Sequence, residues 1–91
     1  MINIEENIKS LIEQGQRAEA IRLLEEQLKL QLDEHLLLRL GELIYDEGHM
    51  TDALNRFNAV LRLNPENRKA QNYVAIIRNI MGYYCKDLLN P

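Results

Sequence analysis

The chain carries an internal repeat of fixed length. Gly15 is matched by Gly48, Ala20 by Ala53, Leu24 by Phe57, Leu28 by Leu61 and Leu30 by Leu63, and each pair is 33 residues apart. A period of this size means one supersecondary unit stacked on a copy of itself, because one unit cannot bury its apolar face alone. The unit is helical. Apolar residues recur three and four positions apart, and no segment alternates with period two over a useful length. A helical stack this short offers a surface and little enclosed volume.

The helices can be placed from their faces and their stops. Ile4, Ile8, Leu11 and Ile12 form one face of an amphipathic helix over residues 3–14. Asn3 followed by Glu6 resembles a capping box, and Gly15 is positioned to end the helix in the left-handed region. A second helix is predicted from about Arg17 to Leu30, with Ala20, Ile21, Leu24, Leu28 and Leu30 as its apolar residues. Asp33 is the expected N-cap of a third helix, which carries Leu36, Leu37, Leu40, Leu43 and Ile44 and ends at Gly48. Thr51 is the expected cap of a fourth, with Ala53, Leu54, Phe57, Val60 and Leu61 inward. Pro65 drives Asn64 out of the α region and ends that helix. A fifth is expected from near Asn67 to about Asp87, kinked or frayed at Gly82.

Composition bounds the function. Ninety-one residues make one domain with a thin core; a chain of this size buries only roughly 60–65% of its unfolded surface. The net charge of −3 and a pI near 5.3 argue against a nucleic-acid partner and against an anionic lipid surface. The N-terminus shows no basic region followed by an apolar one, and no apolar run approaches the ~20 residues that cross a bilayer. A single cysteine, Cys85, fits a reducing compartment, so a cytoplasmic location is expected.

The second unit resembles the tetratricopeptide repeat. Leu37, Leu40, Gly41, Ile44, Tyr45, Gly48, Ala53, Leu54, Phe57, Leu61 and Pro65 stand where that family places its signature residues. Gly41 and Ala53 are small enough for two helices to approach closely, and Phe57 fills the space between one helix pair and the next. The first unit agrees at Gly15, Ala20, Ile21, Leu24 and Leu28, but has Ile8 where a small residue is expected. It also lacks the Asn-Pro stop, which Gln31-Leu32-Asp33 replaces. The run from Met81 to Leu89 looks like the ending of small stand-alone bacterial proteins of this type. The resemblance implies an all-α, right-handed superhelix: repeat 1 over about 1–33, repeat 2 over about 34–67, and a capping helix over about 68–88.

It also implies a concave face lined by the first helix of each pair. Mapped residue by residue, the partner-binding groove is Leu38, Arg39, Glu42, Tyr45, Lys69, Asn72, Tyr73 and Ile76, with Glu5, Lys9, Ile12 and Glu13 on the first helix. Apolar anchors between charges suit a peptide or helix of another protein. The subfamily that clamps a chaperone carboxylate is not matched: Glu5 would repel the carboxylate, and only Lys69 agrees fully.

The fifth helix is unusually apolar for a terminal one. Ile77, Ile80, Met81, Tyr84 and Leu88 suggest a second reading, self-association as a homodimer. No catalytic constellation, cofactor loop or metal set stands out. Asp46, His49 and Asp52 surround a turn, where such residues are common for backbone reasons, and Ser10 has no base in reach of sequence. The sequence thus predicts a non-catalytic protein–protein interaction module.

Overall fold

The computed structural model describes residues 3–84. They form five helices: α1 (Ile4–Glu13), α2 (Arg17–Leu30), α3 (Glu34–Asp46), α4 (Met50–Leu63) and α5 (Arg68–Tyr84). Each helix packs on the next in sequence, α1 on α2, α2 on α3, α3 on α4 and α4 on α5. The architecture is all-α and tetratricopeptide-like, as the resemblance implies.

Two kinds of joint alternate. Within each pair the joint is a glycine turn. Gly15 has φ 75° and Gly48 has φ 85°. The Gly15 N–H donates to the Ile12 carbonyl at 3.0 Å, and the Gln16 N–H donates to the Leu11 carbonyl at 2.8 Å. Gly48 N–H to the Tyr45 carbonyl and His49 N–H to the Ile44 carbonyl repeat that pattern at 2.9 and 3.2 Å. These are two copies of the Schellman motif, and a residue with a Cβ is strained at its left-handed position.

Between pairs the joint is a capped one. Asp33 accepts from the Leu36 N–H at 2.9 Å, and Asn67 accepts from the Ala70 N–H at 2.9 Å. Asn3 opens α1 the same way, accepting from the Glu6 N–H at 2.9 Å. The expected cap at Thr51 is not found. The N-cap of α4 is His49, which makes no side-chain cap bond, and Thr51 lies inside the first turn. The Schellman turn delivers the chain to His49 already aligned: its carbonyl accepts from the Ala53 N–H at 2.9 Å, so no side-chain cap is required. Helix α5 continues through Gly82 to Tyr84, and its expected run to about Asp87 lies outside the described residues.

The core runs through all five helices and is centred on α3, which buries Leu36, Leu37, Leu38, Leu40, Gly41, Leu43 and Ile44. Phe57 is the largest fully buried side chain. Burying such a ring stabilises by about 1.5–3 kcal/mol. It fits only because α3 has no side chain at Gly41: a Cβ built there would lie 2.7 Å from Phe57 Cε1. One period earlier the same two positions are Ile8 and Leu24, both buried. The first pair divides between two medium side chains the volume that the second gives to one ring.

Candidate functional site: clefts between alternate helices

Clefts open between the first, third and fifth helices. Glu42 of α3 and Lys69, Asn72, Tyr73 and Ile76 of α5 line one of about 390 Å³. Between α1 and α3 lies another of about 310 Å³, with Lys9, His35, Leu36 and Arg39 among its walls.

The α3–α5 cleft has an aromatic wall anchored in the core. Tyr73 stacks on Phe57, with centroids 4.4 Å apart, and meets Tyr45 edge-on at 5.1 Å. Its hydroxyl donates to Glu42 Oε2 at 3.2 Å, and Arg39 Nη1 approaches Glu42 Oε1 at 4.0 Å. Burial pushes the Tyr73 phenol up to about 12, and the neighbouring Glu42 charge and hydrogen bond push the same way. Tyr73 is therefore a neutral donor at ordinary pH, and Glu42 is the acceptor it holds in place. Lys69, Asn72 and Ile76 are exposed around this pair, and Ile76 retains 44% of its surface.

Of the eight residues mapped to the groove, the α3–α5 cleft brings together five. Arg39 lines the α1–α3 cleft instead. Tyr45 is half-buried behind Tyr73. Leu38 is buried and packs into the core, so it supplies no open floor. Sequence reasoning missed His35, whose Nε2 lies 2.9 Å from Glu5 Oε1 and ties α3 to α1. It also missed Glu34, which accepts from Asn67 Nδ2 at 2.6 Å and Asn64 Nδ2 at 2.9 Å. Both are long-range pairs with no local pattern; only the stacked fold brings the partners together.

The residues marked for self-association separate. Ile77 is fully buried, so it offers nothing to a second copy, and Met81 packs against the core. Ile80 is half-buried. The Tyr84 side chain and Leu88, like Cys85, lie outside the described residues. The sequence marks α5 as unusually apolar for a terminal helix, and the structure turns much of that apolar stripe inward, burying Ala70, Val74 and Ile77. Its outer residues Gln71, Asn72, Arg78 and Asn79 are exposed and polar. Among the described residues no helix is long and apolar enough to cross a membrane, and no three metal-ligating side chains gather.

Comparison with known proteins gives one partial likeness. Over 58 residues, 64% of the chain, the sequence is 34% identical to anaphase-promoting complex subunit 7 of Arabidopsis thaliana. The chain spans about a tenth of that protein's length. The likeness fits a tetratricopeptide-like repeat family. No family model matches the chain, and no solved structure matches it.

Proposed function

We propose that this protein is a non-catalytic interaction module that receives a peptide or helix of another protein along α1, α3 and α5. The observation that carries the reading is the α3–α5 cleft. An exposed isoleucine, a fixed acceptor–donor pair and a lysine surround one open space of about 390 Å³. Apolar anchors supply affinity and charged rims set register and partner choice. The likeness to a subunit of a multi-component complex supports a partner that is a protein. The reading divides the chain into two repeats, about 1–33 and 34–67, closed by a helix from about 68. The polar outer face of α5 supports that closing role, because a terminal helix has nothing stacked on it.

The test is a pull-down from the source cells with wild type and with Ile76→Asp and Lys69→Glu, read by mass spectrometry. Both positions are exposed, so both variants are expected to melt with the wild type. A protein retained by the wild type and lost by both variants supports the groove. Identical retention by all three baits sinks it.

A further inference from the structure

The opposite side of the stack carries a second groove, between α2 and α4. Its space is about 640 Å³, and its floor is Leu28, Leu37 and Ala59. Leu32, Lys29 and Arg62 close one end. Towards the other end Arg56 is engaged by two carboxylates, Glu25 Oε2 at 3.2 Å and Asp52 Oδ1 at 3.4 Å. Lys29 and Arg62 are exposed and make no ion pair among the described residues. They are one period apart, so they stand at the same level on the two helices.

A cation in the last turn of a helix is favoured by the helix dipole, which accounts for Lys29 and Arg62 one at a time. It does not account for the leucines around them. Leu30 is 82% exposed, Leu32 60% and Leu63 44%. Leu32 lies in the link between α2 and α3, where polar residues and proline are the physically favoured choices, and the corresponding joint after α4 uses Asn64 and Pro65. Apolar side chains held in solvent beside two unpaired cations, on a chain of net charge −3, form a surface complementary to an acidic, leucine-bearing segment.

We propose that the α2–α4 groove docks an acidic amphipathic helix of a partner protein, its apolar face on Leu28, Leu32 and Ala59 and its carboxylates on Lys29 and Arg62. A helix is the fitting form. The groove is walled by helices with no open sheet edge, so an extended peptide would lay unpaired backbone over leucine, whereas a helix satisfies its own. Two cations are too few to hold an anionic membrane stably, which favours a peptide over lipid.

The test pans a displayed library of amphipathic helical peptides, randomised on one face, against the whole protein. The expected result is enrichment of peptides with leucine-like residues at helical spacing flanked by Asp or Glu. Their affinity, read by fluorescence anisotropy, should fall roughly tenfold or more in the Lys29→Glu/Arg62→Glu protein and in Leu32→Asp, and stay unchanged in Ile76→Asp. Circular-dichroism melting checks the fold of each variant, and Lys29→Gln/Arg62→Gln replaces the reversal if that unfolds. The proposal is overturned by no enrichment, or by enriched peptides indifferent to Lys29 and Arg62. It is equally overturned if phosphatidylserine vesicles, and not peptides, depend on those cations, or if Leu32→Asp dissociates a dimer of the wild-type chain.

Discussion

Tyr73 lies flat on Phe57, their planes only 4° from parallel. Phe57 belongs to α4 and is fully buried, while Tyr73 belongs to α5 and is half-buried with its hydroxyl on Glu42. The wall of the α3–α5 cleft is thus an extension of the core. Whatever binds there meets a side chain whose position is set by packing rather than by solvent, and such pre-organisation lowers the ordering cost of binding.

That position makes Tyr73 a reporter of the folded state at high pH. Its folded pKa is about 12, raised mainly by burial, against about 10 for an unfolded tyrosine. The unfolded chain therefore loses the proton first. The contribution is fully present below about pH 10 and is lost as pH rises towards 12. The urea midpoint of the wild type is expected to fall across that window, and that of Tyr73→Phe to fall less. Equal slopes, or a phenolate absorbance titration with every tyrosine near 10, would contradict the placement.

Gly41 is required for its missing side chain, not for backbone freedom. Gly41→Ala gains about 1 kcal/mol of helix propensity. It also drives a methyl to 2.7 Å from a fully buried ring, and overpacking of this kind costs about 1–3 kcal/mol. Net destabilisation is expected by urea unfolding. In a Phe57→Leu background, where the pair approaches the Ile8 and Leu24 arrangement of the first repeat, the alanine is expected to be neutral or stabilising. A double-mutant cycle with zero coupling would show that the two positions do not share that space.

The caps separate what the sequence could tell from what it could not. Asn3 and Asp33 were legible because an Asx side chain before an apolar helical face has one local job. Thr51 looked the same and is not a cap, because the turn at Gly48 starts α4 from His49. Asp33→Ala is expected to cost about 1 kcal/mol and Thr51→Ala well under half of that. A larger loss at Thr51 in chemical unfolding would restore the sequence-based placement.

The period and the five helices were likewise readable, since they follow from spacing along the chain. Leu38 and Ile77 were misjudged for one reason. Periodicity marks the axis of an apolar stripe but not its width, and width is set by how many neighbours a helix has. Helix α3 packs on both α2 and α4, so its stripe is wide enough to bury Leu38. Helix α5 packs mainly on α4 and touches α3 chiefly through Tyr73, so its stripe is narrow, and Ile77 lies on its axis while Ile76 stays exposed.

The joint before α5 should respond to acid through Glu34. The Asn67 amide, and then the Asn64 amide, donates to its carboxylate and holds its pKa below the usual carboxylate range. Because the folded pKa is depressed, the contribution is present above the unfolded value of about 4.3 and is lost as pH falls through the lower folded one. Glu34→Gln keeps an oxygen that can accept from both amides but cannot titrate. The variant is expected to melt close to the wild type near neutral pH and to lose less stability below about pH 4. Its amide exchange at Ala70, whose N–H is held by Asn67, should stay slow if the joint remains pinned. A wild-type acid slope unchanged in the variant would mean that the two asparagines are placed by Pro65 and their own turn, without help from Glu34.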